Sequence, residues 1–288
     1  MRPRFPGDQT AVIADYKVTA LQFSPVGYWL AVGDAGGAVH ILEAAGLSML
    51  PVASFNPPSE TSSAVDRIVW SDSGHTLLVV SGTLLWKVSF TGTGGMVERV
   101  MAPGPFLQVS LVGEHMKFHP FIDGVEGSDS WGDLVVYYNQ SGLRAILSDA
   151  TFDFALPGLL RVQLLDNQTV AAICRDRCIH LFRVGASGLS KLAVFSDPVS
   201  KSQLMACGPT HSGSAIWAQT ADGRALVFDC GTGRLVKTLD VTFPVARGSP
   251  RAPVVAWHPT LAAFVFASAK RLHLLGPAFP LQPWAALM

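Results

Sequence analysis

Two cysteines in a short span are the first residues whose types and spacing could support chemistry. Cys174 and Cys178 flank the tripeptide Arg-Asp-Arg in a segment whose pattern predicts a β-hairpin. Structural zinc sites need four ligands with tighter pairing, and this four-residue step has no second Cys/His pair beside it. We therefore interpret both residues as half-buried thiols and predict no metal site and no cofactor.

A second group of candidate metal ligands lies in a segment rich in Gly, Ser and Asp. Residues of this composition more often solubilise a loop than bind an ion, because sequence spacing alone fixes no ligand geometry. We therefore predict an insertion loop over residues 113–132 that binds a partner protein through apolar anchors. The polar candidates are His115, His119, Asp123, Glu126, Asp129 and Asp133. The proposed anchors are Phe118, Phe121, Ile122 and Trp131.

Basic residues form two modest clusters. The first contains Arg175, Arg177 and Arg183, and the second contains Arg247 and Arg251. Exposed arginines are common on any protein surface, so solvated hairpins and loops explain both clusters.

Sequence signatures of enzymes are missing. No nucleophile elbow, phosphate loop or dinucleotide fingerprint precedes a predicted helix. The Gly-rich run 92–95 is interpreted as a hairpin turn, and His75 as the polar start of a strand. A propeller enzyme would need carboxylates or histidines converging at the inner ends of several strands, which are mostly apolar here. We predict a protein without catalytic residues.

Composition agrees with a chain of buried strands. Hydrophobic residues make up 49% of the 288 residues and charged residues only 15%, which is atypical of a disordered chain or a helical bundle. The 21 basic residues balance the 21 acidic ones, so no net field drives non-specific binding to nucleic acid or membranes. No apolar run reaches the length of a membrane span, and four irregularly spaced cysteines suit a reducing compartment. We expect a soluble intracellular protein with no membrane partner and no small-molecule substrate.

An internal repeat positions these candidates. From Val18 the chain alternates like a strand, turns at Ser-Pro-Val-Gly, continues through a more apolar strand, turns at Gly-Gly and enters a third strand. The same order recurs over 65–90, 159–184, 203–229 and 254–275, and 106–157 supplies a sixth unit if 113–132 is an insertion. Short strands punctuated every 8–12 residues predict an all-β propeller of four-stranded blades, six recognisable and a seventh left open.

The last unit lacks an obvious fourth strand. The N-terminal segment QTAVIADY could fill that place and close the ring, which would leave no long exposed edge. The sequence therefore predicts a single propeller domain over residues 1–288 whose two ends are joined in one sheet.

The order of the motifs resembles one family of WD-repeat proteins. The signature Trp-Asp at the end of the third strand is degenerate here, with Leu42-Glu43, Trp86-Lys87 and Phe228-Asp229 in that place. The resemblance to the family of retinoblastoma-binding protein five and its yeast counterpart, core subunits of COMPASS-type histone methyltransferase complexes, covers nearly the whole chain. It is carried by the segments 30–33, 69–75, 147–157, 233–237 and 255–259, by Ala267-Ser268 and by Trp284.

The resemblance implies a nuclear, non-catalytic scaffold. Its partners would be a Set-domain methyltransferase subunit and other COMPASS core subunits, with the DNA and histones of the nucleosome as a further partner of the basic loops. Family members have seven blades and continue into an acidic segment that contacts other subunits, and no counterpart of that segment lies within these 288 residues. The alternative is a cytoplasmic WD-repeat adaptor in another complex, such as one for trafficking or ubiquitin ligation.

Overall fold

The structure is a computed structural model in which most of the chain can be described. The described residues are 9–12, 16–45, 49–58, 63–71, 73–82, 84–92, 94–100, 106–112, 115–120, 127–131, 134–147, 150–197, 199, 202–209, 213–222, 224–239, 254–259, 263–268 and 270–275. Within these residues no helix is long and apolar enough to cross a membrane.

The chain divides into two compact units. The terminal unit contains residues 1–102, 113–115 and 253–288, and the central unit contains residues 103–112 and 116–252. Every strand pair with a described register is antiparallel.

Three four-stranded sheets build the terminal unit. Sheet 1 contains β2 (Val18–Phe23), β3 (Trp29–Asp34), β4 (Val39–Glu43) and β5 (Leu50–Phe55). Sheet 2 contains β6 (Arg67–Trp70), β7 (Thr76–Ser81), β8 (Leu84–Phe90) and β9 (Gly95–Val100). Sheet 7 contains β24 (Val255–Trp257), β25 (Phe264–Ser268) and β26 (Arg271–Leu275), and its fourth strand is β1 (Gln9–Val12), which pairs with β26.

The central unit contains three four-stranded sheets and one two-stranded sheet. Sheet 3 is the pair β10 (Phe106–Val112) and β11 (His115–Pro120). Sheet 4 contains β12 (Gly127–Trp131), β13 (Leu134–Asn139), β14 (Gly142–Leu147) and β15 (Ala150–Ala155). Sheet 5 contains β16 (Leu159–Leu164), β17 (Thr169–Cys174), β18 (Cys178–Gly185) and β19 (Gly188–Ser196), and sheet 6 contains β20 (Leu204–Pro209), β21 (Ala215–Thr220), β22 (Ala225–Asp229) and β23 (Leu235–Leu239).

Burial explains why the second strand of a sheet is the most apolar. All six residues of β17 are buried, and its alternate residues belong to two different cores. Ala172 packs with sheet 4, whereas Ile173 packs with sheet 6. The second strand of sheet 1 is likewise shared between cores with sheets 7 and 2. Outer strands such as β15 alternate half-buried and exposed residues, because only one of their faces is covered.

The repeated Ser-x-x-Gly turns have the same hydrogen bonds in sheets 1 and 2. The Ser24 hydroxyl accepts the Trp29 amide, and the Gly27 amide donates to the Ser24 carbonyl at 2.9 Å. In sheet 2 the Ser71 hydroxyl accepts the Thr76 amide, and the Gly74 amide donates to the Ser71 carbonyl at 2.9 Å. Both glycines have positive φ, 75° and 70°, which explains why glycine recurs at this position.

Bulges recur at matching places. The register of the first strand against the second shifts in sheets 1, 5 and 6 one residue after the strand begins. The outer strands of the same three sheets skip one residue each, Val52, Leu192 and Val236. Because the skipped residue is left out of the ladder, Leu192 and Val236 are exposed although they are apolar.

A buried histidine joins the first and last sheets of the terminal unit. His258 follows β24, and its Nε2 donates to the Gly27 carbonyl oxygen at 2.9 Å, across 231 residues of chain. Its ring also lies 5.0 Å from that of Phe23. Burial lowers the pKa of His258, partly offset by the bond to Gly27, so the ring is neutral at neutral pH.

The segment 113–132 is not the insertion loop that the sequence predicts. It contains β11, which pairs with β10 in a separate sheet, and β12, which is the first strand of sheet 4. The error has a physical cause: β12 reads Gly-Ser-Asp-Ser-Trp, and these residue types are typical of turns. The backbone of β12 pairs with the apolar β13, which overrides the local preference.

The Trp86-Lys87 pair does not stand at the end of a third strand. Trp86 lies in the middle of β8, opposite Val79, and is fully buried in the core between sheets 1 and 2. Leu30 and Leu77 are each the second residue of the second strand of their sheet. Leu30 pairs with Leu42 and Leu77 pairs with Val88, so Val88-Ser89 is the pair that matches Leu42-Glu43 in register. The other two predicted pairs do end their strands.

Substitution of Gly27 tests the contact with His258. A Cβ at Gly27 would lie 2.4 Å from His258 Cε1, whereas a Cβ at Gly74 meets only ordinary contacts of 3.5 Å or more. We expect Gly74→Ala to lower the free energy of unfolding by about 1–2 kcal/mol from backbone strain alone. Gly27→Ala should cost at least about 1 kcal/mol more, from overpacking. Denaturant unfolding of both variants measures the difference, and equal losses would contradict a tight His258 contact.

Truncation tests the contribution of β1. Deleting residues 1–16 removes the strand that pairs with β26 and leaves that strand as an open edge. We expect Tm to fall by about 5 °C or more, measured by scanning calorimetry. Deleting residues 1–8, which precede β1, is the control and should leave Tm nearly unchanged. A melting temperature that is the same in both truncations would show that β1 does not stabilise the sheet.

A candidate protein-binding rim in the central unit

Turns and connections at one end of sheets 4, 5 and 6 form a continuous hydrogen-bonded surface. We call it the rim and define it as residues 140–141, 156–158, 175–177 and 221–222 with Asp197, Ser202, Gln203 and Arg224. The Gly158 amide donates to the Gln140 carbonyl at 2.8 Å, and the Arg175 amide donates to the Gly158 carbonyl at 2.8 Å. These bonds fasten the tip of one sheet to the connection entering the next.

Gln203 continues the rim from sheet 5 to sheet 6. Its Nε2 donates to the Cys174 carbonyl at 2.8 Å and to the Leu204 carbonyl at 3.0 Å. The Ala221 amide donates to the Gln203 carbonyl at 2.7 Å, and the Asp222 amide to the Ser202 hydroxyl at 3.1 Å. The backbone of the rim is therefore held by bonds that do not depend on a partner.

Charges on the rim differ between sheets 5 and 6. The Arg224 guanidinium bonds Asp197 at 3.2 Å and Asp222 at 3.1 Å, so it lies between two carboxylates. Burial opposes ionisation of Asp222, but hydrogen bonds from Thr220 and Arg224 outweigh it and hold the pKa of Asp222 below its ordinary value. This cluster of Asp197, Asp222 and Arg224 thus carries one negative charge in excess.

The hairpin between β17 and β18 presents cations instead. Arg175 bonds the neutral side-chain oxygen of Gln140 at 3.1 Å, and Arg177 is exposed in a left-handed turn with φ of 66°. Of the three arginines grouped in sequence, only these two lie on the rim. Arg183 is six residues beyond Arg177 on a strand, about 20 Å away, and is exposed near the opposite end of sheet 5.

The remaining predicted binding residues are not brought to the rim by anything the structure describes. Phe118 lies on β11 and Trp131 on β12, where only the backbone is described. Phe121, Ile122, Arg247 and Arg251 lie outside the described residues. All six remain predictions.

Asp129, a candidate metal ligand in the sequence, has a structural role. Its Oδ2 accepts the Leu164 amide at 2.8 Å and so connects the first strand of sheet 4 to the first strand of sheet 5. His115 and His119 lie on β11, where side chains are not described, and Asp123, Glu126 and Asp133 lie outside the described residues.

The predicted hairpin at Cys174 and Cys178 is present, with both thiols free. Burial, together with the charge of Asp176, raises the pKa of Cys174 to about 12, and burial also raises the pKa of Cys178. Both thiols are therefore protonated at neutral pH and are poor nucleophiles. The sequence interpretation overlooked Asp176 and His180, whose side chains meet at 2.9 Å beside Cys174.

A signal for that pair exists in the repeat. Sheet 1 has an Asp at the same hairpin followed by a His on the third strand, and the Asp34 and His40 side chains meet at 3.2 Å. Alignment of the repeats by strand register, rather than by turn residues alone, would have found the second pair.

The fold is a β-propeller: an all-β chain of antiparallel four-stranded sheets, six within the described residues, which confirms the predicted fold class. The β-propeller domain of Cps50 (Swd1) from Myceliophteria thermophila is similar in structure, with a TM-score of 0.70 and 16% identity over 92% of this chain and 99% of that domain. No protein-family model matches the chain. No curated protein matches it in sequence either.

Removing the Gln203 side chain tests how strongly the rim is held. Gln203→Ala leaves the Cys174 and Leu204 carbonyls without this donor, and we expect a loss of about 1–2 kcal/mol in the free energy of unfolding. Gln140→Ala is the control, because Gln140 is exposed and should cost less than about 0.5 kcal/mol. Urea unfolding of both variants makes the comparison, and a Gln203→Ala loss no larger than that of the control would contradict this role.

Proposed function

We propose that the chain is a non-catalytic scaffold subunit of a COMPASS-type complex that methylates lysine 4 of histone 3. The observation that carries the binding function is the rim, a fixed backbone frame that presents exposed side chains from three adjacent sheets. A surface that is already ordered loses little conformational entropy when a partner binds. Such a surface suits recognition, whereas catalysis would need reactive groups that the neighbouring thiols of Cys174 and Cys178, with their raised pKa values, do not supply.

The choice of complex rests on two likenesses. The motifs of the sequence resemble the COMPASS core family in order over nearly the whole chain, and the fold is similar to the Cps50 (Swd1) propeller domain. Its partners in this proposal are a Set-domain subunit and other core subunits, in the nucleus. A shared propeller fold by itself names no partner, so the co-purifying proteins decide.

Affinity purification of the tagged chain from its native cell tests the proposal. We expect a Set-domain protein and at least one further core subunit among the recovered proteins. Recovery of trafficking or ubiquitin-ligation components with neither of these would overturn the methyltransferase proposal and favour a cytoplasmic adaptor.

The nucleosome is the further partner that the rim favours. Arg175 and Arg177 extend two cations from the same hairpin tip, and guanidinium groups bind phosphate oxygens well. The carboxylates of the rim are engaged elsewhere, since Asp197 and Asp222 bond Arg224, and Asp176 bonds the His180 ring and the Cys178 amide. The hairpin tip is therefore the place where we propose contact with DNA phosphates.

Charge reversal at the two ends of sheet 5 separates this contact from a general charge effect. The double variant Arg175→Glu/Arg177→Glu should weaken nucleosome binding and lower the slope of log K against log salt by about 2, since each phosphate contact contributes roughly 0.9. Arg183→Glu is the control, an exposed arginine on the same hairpin but about 20 Å from Arg177. Equal effects of the rim and control variants in a mobility-shift titration would contradict a rim contact.

A further inference from the structure

The hairpin between β17 and β18 places metal-ligating side chains together. Cys174 Sγ, a carboxylate oxygen of Asp176 and a ring nitrogen of His180 all lie within 4.8 Å of one another. Cys178 is close as well, with its Sγ 3.7 Å from the Asp176 backbone oxygen. The four residues alternate along the chain and come from one three-residue turn and the strand ends beside it.

Comparison with sheet 1 shows that this arrangement differs from an ordinary Asp–His pair. In sheet 1, His40 opposes Val32 and Ser54, its Nε2 bonds Asp34, and its Nδ1 bonds the Ser54 hydroxyl at 2.9 Å. Both ring nitrogens of His40 therefore have protein partners. No polar atom of that ring remains to bind a ligand.

In sheet 5 the corresponding histidine lacks its second partner. His180 opposes Ala172 and Val194, so an apolar valine stands where sheet 1 has Ser54. His180 is 9% exposed, and its Nδ1 has no hydrogen-bond partner among the described residues, although its Nε2 bonds Asp176 at 2.9 Å. An unpaired buried nitrogen is costly, and this ring atom therefore remains available to a ligand.

The carboxylate beside the histidine comes from a different position in sheet 5 than in sheet 1. Cys174 ends the second strand of sheet 5 at the position that Asp34 has in sheet 1, because Leu159 pairs with Cys174 as Val18 pairs with Asp34. The acid of sheet 5 instead comes from Asp176 in the turn. As a result His180 has a carboxylate and a thiol beside it, where His40 has a carboxylate and a hydroxyl.

We propose that Cys174, Asp176 and His180, with Cys178 as a fourth ligand, bind a divalent transition-metal ion of the Zn²⁺ type. Thiolate, imidazole and carboxylate are the ligands that zinc takes in tetrahedral protein sites. Cys174 and His180 are buried, whereas the Asp176 side chain is 52% exposed, so an ion can enter from the solvent side of the turn. The ion would stabilise the turn between β17 and β18, which carries Arg175 and Arg177.

The thiols must lose protons when the ion binds. Metal and proton compete for the same sulfur, so binding of the ion releases protons. Burial raises the pKa of both thiols, and the charge of Lys191 offsets this only in part. Asp176 keeps its charge more easily, because bonds from His180 and the Cys178 amide outweigh the effect of burial and lower its pKa.

Cobalt titration of the full-length, reduced, metal-free chain tests the site. Tetrahedral Co²⁺ bound by thiolate gives intense visible bands and a sulfur-to-cobalt charge-transfer band, which hydrated Co²⁺ lacks. We expect these bands to saturate at one Co²⁺ per chain and to disappear when Zn²⁺ is added. Absence of the bands, or a spectrum without sulfur ligation, would overturn the proposal.

Two variants probe the ligands, and a third is the control. Cys174→Ser should weaken the charge-transfer band by about half, because the Cys178 thiolate remains, and Asp176→Asn, which keeps an acceptor for the Cys178 amide, should lower Co²⁺ affinity at least about tenfold. Cys230→Ser is the matched control, a half-buried thiol beside Asp229 outside the cluster, and should bind Co²⁺ like the unaltered chain.

A folding defect is distinguished by a second measurement. Cys178→Ser changes the half-exposed ligand, and its circular dichroism and Tm without metal should match those of the unaltered chain while its Co²⁺ affinity falls. Undiminished Co²⁺ binding in both Cys174→Ser and Cys178→Ser would assign the metal to other residues and reject the site.

Discussion

The second strands of sheets 1 and 5 are buried on both faces, and most other features of the molecule follow from that constraint. In β3 and β17, alternate side chains enter two different cores, so each of these sheets needs a neighbour on either side. Strands of this kind can contain few polar residues except at their ends. The third and fourth strands then become progressively more polar, and the outermost strand carries the exposed residues.

The sheets differ in the residue that ends the buried second strand and in how the polar groups of the following turn are satisfied. The last residues of four second strands are Asp34, Ser81, Cys174 and Thr220, and all are almost completely buried. Asp34 accepts two turn amides as well as the His40 ring, and Thr220 bonds backbone and side-chain atoms of its own turn. A cysteine at this position cannot accept such bonds well, so the turn of sheet 5 obtains its acceptor from Asp176. Cysteine at this position, with the acceptor supplied by Asp176, therefore accounts both for the turn of the rim hairpin and for the cluster of metal-ligating side chains.

Much of the fold could be predicted because its signals are local. The Ser-x-x-Gly turns require positive φ at glycine, and the apolar second strands stand out against their polar neighbours. The strand β12 could not be predicted, since Gly-Ser-Asp-Ser-Trp becomes a strand only by pairing with β13. The side-chain cluster was missed for a similar reason. The approach of Cys174 to His180 depends on a turn of three residues, and a turn one residue longer would place the two side chains on opposite faces. Residue types show which atoms could bind a ligand, but register decides which of them meet.

The contact between His258 and Gly27 bears on the order in which the chain can fold during its synthesis. The terminal unit is assembled from both ends of the chain, whereas the central unit is an almost continuous run of residues. When the first strands leave the ribosome, the Leu30 and Val32 side chains, which pack against sheet 7, have no cover from that sheet until residues 256–274 have been translated. The central unit can therefore complete its cores earlier, although it is made later. Nascent chains of this protein would expose an apolar strand for most of their synthesis and would depend on chaperones in proportion to that delay.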